Sequence, residues 1–110
     1  MNITVNELME LFVDTLQKCG VRLLEMSDEH IEYYIFEEFN TGAGSFLHEN
    51  SLNKLKKANL ITETVLQKST ELRKKIFSLE KTNEWNVASV KYSKEWREIL
   101  ELSDEIKLLL

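Results

Sequence analysis

The feature that most constrains the fold of this chain is the scarcity of residues that interrupt a helix. None of the 110 residues is proline, and only three are glycine. These two residues disfavour a helix interior more than any others, so long helices are expected. No convincing strand pattern or internal repeat occurs. The sequence predicts an all-α fold, a single-domain bundle of about five helices over residues 1–110, because one hydrophobic core is ordinary at this length.

Apolar spacing and cap residues place the first two helices. The first covers residues 5–19 and begins with a capping box of Thr4 and Glu7. It is followed by Gly20, at the position where a left-handed C′ glycine is expected. Ser27 caps the second helix. The buried face of the second helix is predicted to contain Ile31, Tyr34, Ile35 and Phe39.

The remaining helices are placed in the same way. Ser51 or Asn50 is expected to cap the third helix, and Asn59 to end it. Thr62 and Ser93 are expected to cap the fourth and the last helix. The buried face of the fourth helix is predicted to consist of Val65, Ser69, Leu72, Ile76 and Leu79. That of the last helix is predicted to consist of Tyr92, Trp96, Ile99, Ser103, Ile106 and Leu110.

The segment NTGAGSF, residues 40–46, is predicted to be a flexible loop that joins the second helix to the third. Gly42 and Gly44 lower the cost of bending there. A Gly-x-Gly-Ser loop before a helix can also bind phosphate through its amides. This segment lacks a P-loop lysine, does not follow a strand and has acidic surroundings. A plain connector is therefore favoured.

The charges are sorted along the chain. The net charge is −5, which argues against a general affinity for nucleic acid. Residues 23–53 contain seven acidic and no basic residues, whereas residues 54–82 contain eight basic and three acidic ones. The basic run is predicted to be a solvated face, or to complement the acidic second helix across the fold. The acidic, aromatic stretch at residues 25–50 is predicted to be a contact surface for a basic protein.

The residue types that usually carry chemistry do not form a recognisable site. Cys19 is the only cysteine and is predicted to be buried and unreactive. His30 and His48 lie eighteen residues apart without metal-ligand spacing. We therefore expect no catalytic residues, no metal and no cofactor. No apolar run is long enough for a membrane helix, and the N-terminus lacks the pattern of a signal peptide. A soluble, cytoplasmic protein without membrane contact is expected.

The second half of the chain resembles the small helical immunity proteins that accompany bacterial polymorphic toxins, including contact-dependent growth inhibition systems. The resemblance covers residues 50–106. Its features are Leu52 and Leu55, the Leu60-Ile61 step into Thr62, Glu71-Leu72-Arg73 with Phe77, Trp85, Ser93, Trp96 and the segment from Leu102 to Ile106. The stretch 25–50 lies outside it, as expected of a part that differs between toxin partners.

The resemblance implies a protein that binds its cognate toxin domain and blocks it. Many such toxins are nucleases with basic clefts, which an acidic inhibitor can fill or flank. Asp28, Glu29, Glu32, Glu37 and Glu38 are then predicted to supply charge complementarity. Tyr33 and Phe36 are predicted to be the aromatic anchors, because buried aromatics carry more affinity than rim charges.

Two other functions remain open at this stage. The chain can be a helical regulatory adaptor or homo-oligomerisation module, in which the acidic segment of one copy meets the basic helix of another. Whichever function holds, the chain is expected to be a monomer or a weak homodimer in solution. It can also be a small enzyme or ligand-binding domain that uses the Gly42–Gly44 loop and His48.

Overall fold

The protein forms the expected all-α bundle. The computed structural model describes residues 3–110. Their elements are α1 (Val5–Gln17), a 3-10 helix (Val21–Glu25), α2 (Asp28–Ile31), a π-helix (Glu32–Phe39), α3 (Asn40–Phe46), α4 (Glu49–Lys57), α5 (Glu63–Glu80), α6 (Val87–Tyr92) and α7 (Lys94–Leu108). α5 packs against α7 and α4, while α1 contacts α3, α4 and α7. The buried apolar residues of these helices form one continuous core.

Helix α1 begins as its sequence predicts and ends two residues early. The Thr4 hydroxyl accepts from the Glu7 amide at 3.1 Å, and the Glu7 carboxylate accepts from the Thr4 amide at 3.2 Å. Gly20 does not have the predicted left-handed conformation, because its φ of 168° is extended. A side chain at this position would instead collide with the Asp104 carboxylate. Glycine is therefore required at position 20 because there is no room for a side chain beside Asp104. A left-handed backbone conformation is not the reason.

The predicted loop at residues 40–46 is wrong. These residues form α3, which continues from α2 and the π-helix without a break. Neither Gly42 nor Gly44 has a positive φ. Gly42 is buried where α3 crosses α1, and a methyl group there would lie 2.8 Å from Thr15 Cγ2 and closer still to Thr15 Oγ1. Close helix packing offsets the low helix propensity of glycine, which sequence spacing alone could not show.

Helix α4 begins earlier than predicted. The cap is His48, whose Nδ1 accepts from the Asn50 amide at 3.1 Å, and not Ser51 or Asn50. Asn59 ends the helix as expected, with a left-handed φ of 61°. The Asn59 amide donates to Lys56 O at 2.9 Å and the Leu60 amide to Leu55 O at 3.0 Å, which is the Schellman pattern.

Helices α5 and α7 form the scaffold behind the acidic stretch. All five predicted core residues of α5 are buried. In α7 the prediction is right for Trp96, Ile99, Ser103 and Ile106 but wrong for the two ends of the stripe. Tyr92 is 86% exposed and Leu110 is 46% exposed. Both lie outside α7 (Lys94–Leu108), so its periodicity does not extend to them.

Polar side chains of α7 hold the end of α1. The buried Ser103 hydroxyl lies within hydrogen-bonding distance of Leu16 O (3.1 Å) and Cys19 O (2.9 Å). Lys107 Nζ donates to Cys19 O at 2.8 Å, and Asp104 accepts from the Val21 amide at 3.0 Å. A cation at the C-terminal end of a helix also interacts favourably with the helix dipole. Within residues 3–110 no helix is long and apolar enough to cross a membrane.

Cys19 is fully buried in this junction, and burial raises the pKa of its thiol from 9.0 to about 12. The thiolate is the reactive form, so the native protein should hold about a thousandfold less of it than the unfolded chain at neutral pH. We expect Ellman's reagent to modify the native protein only at the rate of unfolding, and the urea-unfolded chain at once. Rapid modification without unfolding would contradict this.

The same shift gives a pH dependence with a definite sign. Below pH 9 the thiol is protonated in both states and contributes nothing. Between pH 9 and 12 the unfolded thiol loses its proton while the folded one keeps it, so the free energy of unfolding falls as pH rises. Cys19→Ala should lack this part of the alkaline loss, as measured by urea unfolding at stepped pH.

Candidate partner-binding surface

The predicted partner-binding carboxylates lie on one helical rod, residues 28–46. Its start is fixed locally: the Ser27 hydroxyl accepts from the His30 amide at 3.3 Å and lies 2.8 Å from His30 Nδ1. Asp28 and Glu29 occupy the first turn, where negative charge is favoured by the helix dipole. We use the name acidic surface for Asp28, Glu29, Glu32, Tyr33, Glu37 and Glu38.

The middle of the rod is a π-helix, and its wider turn sets which side chains share a face. The fully buried apolar side chains of the rod and its end recur every four positions: Ile31, Ile35, Phe39, Ala43 and Leu47. A regular α-helix with 3.6 residues per turn would rotate such a series away from the core, whereas i→i+5 bonding keeps it in register. A spacing of four sustained over residues 31–47 is therefore compatible with a helix that contains a π-helical segment. Tyr34, predicted to be buried with this series, is only half-buried.

The π-helix also brings Tyr33 beside Glu38, five residues later. The Tyr33 hydroxyl donates a hydrogen bond to the Glu38 carboxylate. This bond and the negative charge of Glu38 raise the pKa of Tyr33, so the phenol stays protonated. Tyr33 is 44% exposed. An aromatic ring and a carboxylate are thus held together at the surface, a pairing that α-helical spacing would have placed on different faces.

Within the described residues, most of the acidic surface has no cationic partner. Among residues 3–110 only Asp28 of this set forms an ion pair, with Lys91 of α6. Glu29, Glu32 and Glu37 are exposed and Glu38 is half-buried. Two lysines of α5 pair with α7 instead: Lys68 with Glu105 at 2.6 Å and Lys75 with Glu98 at 3.6 Å. These two members of the basic run therefore complement α7 and not the acidic second helix.

Phe36 lies on the inner edge of the same rod. Its ring makes edge-on contacts with Trp85 (centroids 4.9 Å apart) and with Trp96 (5.8 Å). It is partly buried against the core. This position supports the acidic surface from behind and leaves Tyr33 as the more accessible of the two predicted anchors.

A hollow of about 540 Å³ opens beside the acidic surface. It is lined by Lys18, Glu29, His30, Tyr33, Tyr34 and Glu38. Lys18 arrives from α1 and places Nζ 5.4 Å from the centre of the Tyr34 ring. The sequence did not assign Lys18, His30 or Tyr34 to a surface, because nothing local links residue 18 to residues 30–34.

No group of three histidine, cysteine, aspartate or glutamate side chains in the described part of the chain is arranged to hold a metal ion. Comparisons with protein-family models, with curated proteins and with solved structures give no match. The function of the protein must therefore be inferred from the surface itself.

Proposed function

We propose that this protein is a cytoplasmic immunity protein that binds a cognate toxin domain through the acidic surface and neutralises it. One observation carries the proposal: within residues 3–110 Asp28 is the only acidic residue of the acidic surface that forms an ion pair, while Lys68 and Lys75 of α5 are paired with α7. Like charges on one face repel each other when no cation lies between them. A basic partner, such as the substrate cleft of a nuclease toxin, would offset this repulsion and be attracted to the surface.

The acidic surface is also suited to fast and tight binding. Its backbone is helical, and Phe36 on its inner side is packed against two tryptophans. The surface is therefore already ordered, and the conformational entropy lost on binding should be small. Tyr33 supplies a partly exposed aromatic ring among the charges. Tyrosine is among the residues that most often dominate binding energy, while the surrounding charges chiefly accelerate association.

The proposal predicts a large effect of charge reversal. Glu32→Lys, Glu37→Lys and Glu38→Lys together should slow association with the toxin domain by about a hundredfold at low ionic strength, because they replace attraction by repulsion. Wild-type association should slow steeply as salt rises. The measurement is surface plasmon resonance, or stopped flow, against the toxin domain encoded by the neighbouring upstream gene, with growth protection as the functional assay.

A matched control separates the surface from total charge. Glu10, Glu71 and Glu80 are exposed, lie outside the acidic surface and form no ion pair within residues 3–110. Reversing these three changes the net charge equally and should leave protection intact. Equal loss in both triple variants, or the absence of a toxin gene beside this one, would count against the proposal.

A second function is favoured by the basic side of the same molecule. Lys54, Lys57, Lys74 and Lys81 are exposed and form no ion pair among the described residues. As a homo-oligomerisation module or regulatory adaptor, one copy would place these lysines on the acidic surface of the next. Sedimentation velocity should then detect a dimer at low salt that dissociates at high salt. A monomer at all salt concentrations excludes pairing between copies through these charges and leaves the first function untouched.

A further inference from the structure

The hollow beside the acidic surface combines two kinds of wall. The Tyr33 and Tyr34 rings meet at 64° with centroids 5.7 Å apart, and form its aromatic side. Glu29 and Glu38 bring carboxylates to the same hollow, and neither forms an ion pair within residues 3–110. In the sequence Tyr33 lies four residues after Glu29 and five before Glu38. On this α-to-π rod the three side chains therefore occupy successive turns of one face.

These walls fit a planar cation better than a spherical one. A guanidinium group stacks flat on an aromatic ring and donates parallel hydrogen bonds to a carboxylate. An ammonium group is a compact point charge that is strongly hydrated and lacks the flat face. The Glu38 carboxylate is already oriented by the Tyr33 hydroxyl, so one of its oxygens is fixed beside the ring.

The hollow already receives one cation from within the protein. Lys18 Nζ lies over the Tyr34 ring and 3.8 Å from Asp14. The His30 ring stacks on Tyr34 with centroids 6.0 Å apart. With Tyr34 engaged by both groups, the accessible aromatic surface of the hollow is that of Tyr33, between the two carboxylates.

We propose that this hollow is a socket for the guanidinium of an arginine side chain on the basic partner. The arginine would lie against Tyr33 and pair with Glu29 and Glu38. This rests on the proposed function only in assigning the arginine to a toxin domain. The socket itself is a property of this chain and is tested without a toxin.

The test is an NMR titration of the full chain with three small probes: N-acetyl-arginine amide, N-acetyl-lysine amide and the uncharged isostere N-acetyl-citrulline amide. Arginine amide should give saturable shifts at the amides of residues 29–38. Lysine amide should bind about tenfold more weakly, since it cannot stack or bond in parallel. Citrulline amide should give no saturable shift.

Variants locate the site. Glu38→Gln and Tyr33→Leu should each weaken arginine amide, whereas Glu37→Gln removes the same charge from the same helix outside the hollow and should have little effect. Lys18→Met should strengthen binding, because it removes the competing cation. Circular dichroism melting confirms that each variant is folded.

Several outcomes overturn the socket. Equal affinity for the arginine and lysine amides, equal loss in Glu37→Gln and Glu38→Gln, or no saturable shift would each show that the surface acts by diffuse charge alone. If the socket binds arginine but the protein protects against no toxin, the proposed function fails and the socket stands. If the protein protects against a toxin but shows no preference for arginine, the proposed function stands and the socket fails.

Discussion

Replacing Trp96 by alanine is expected to lower the free energy of unfolding by about 3–5 kcal/mol, the range for a large aromatic removed from a core. Trp96 is fully buried, and its Nε1 donates to Glu84 O at 2.6 Å. Its ring also contacts Trp85 (5.7 Å) and Phe36 (5.8 Å). Since a domain of this kind is stable by only about 5–15 kcal/mol, the variant should be close to unfolding.

The variant Trp96→Phe distinguishes the contribution of the aromatic ring to stability from that of the Nε1 hydrogen bond. It keeps an aromatic ring in the cluster but leaves the Glu84 carbonyl without its donor, so a loss of about 1–3 kcal/mol is expected. Tyr92→Ala is the control on the other side of Ser93, because Tyr92 is 86% exposed and should change stability by less than about 0.5 kcal/mol. Urea unfolding followed by far-UV circular dichroism measures all three. Comparable effects at Trp96 and Tyr92 would contradict the packing described above.

The Trp96 variants also test how the acidic surface is supported. Phe36 is held from below by both tryptophans, and Phe36 lies between Tyr33 and Glu37 on the rod. Replacing the Trp96 indole by the smaller phenyl ring should therefore loosen the acidic surface before the whole domain unfolds. Native-state hydrogen exchange should show faster exchange at residues 32–39 in Trp96→Phe than in the wild type. Unchanged exchange at residues 32–39 would show that the tryptophan rings do not support the acidic surface.

Alanine substitutions at the two glycines of α3 are expected to have opposite effects. Gly42→Ala should destabilise the protein by about 1–3 kcal/mol, because its methyl group overlaps the Thr15 side chain where α3 crosses α1. Gly44 is exposed, and a methyl group there would meet only Phe77 Cζ at 3.9 Å. Gly44→Ala should therefore stabilise the helix by about 0.5–1 kcal/mol. Urea unfolding of the two single variants measures the sign of each change in the free energy of unfolding.

A double-mutant cycle identifies the contact at Gly42. Thr15→Ala removes Oγ1 and Cγ2, the two atoms nearest to the added methyl group, and also the Thr15 hydrogen bond to Leu11 O at 2.8 Å. On its own it should be destabilising. Combined with Gly42→Ala it should cost less than the sum of the two single changes, a favourable coupling between contacting residues. Additive losses, or a destabilising Gly44→Ala, would argue for a flexible segment and against α3.

Features with short-range causes could be predicted from the sequence. The Thr4–Glu7 capping box, the Ser27, Thr62 and Ser93 caps and the Asn59 helix end each depend on residues within one turn. The buried face of α5 follows from a spacing of three and four over eighteen residues. The exposure of Tyr33 and most of the carboxylates follows from the same periodicity.

The predictions that are wrong concern positions whose conformation or contacts depend on residues far away in the sequence. The glycines of residues 40–46 read as a loop because glycine disfavours helices, but Thr15 from α1 requires a residue without a side chain at Gly42. The alternative interpretation of the basic run, as a complement to the acidic second helix, is wrong for Lys68 and Lys75, because α7 supplies Glu105 and Glu98 to them. The sequence predicts a left-handed helix end at Gly20, whereas the nearby Asp104 of α7 explains why this residue has no side chain.

By itself the sequence therefore determined that the chain is helical, where most helices begin, which faces are apolar and where acidic residues accumulate. These properties arise from backbone preferences and spacing within one or two turns. Only the tertiary structure decided that, within residues 3–110, most of these carboxylates remain unpaired, that the π-helix joins Tyr33 to Glu38, that Phe36 packs against the tryptophans and that Lys18 reaches Tyr34. Each of these depends on which residues, far apart in the chain, the packing of the helices brings together, or on a helical register that the packing imposes.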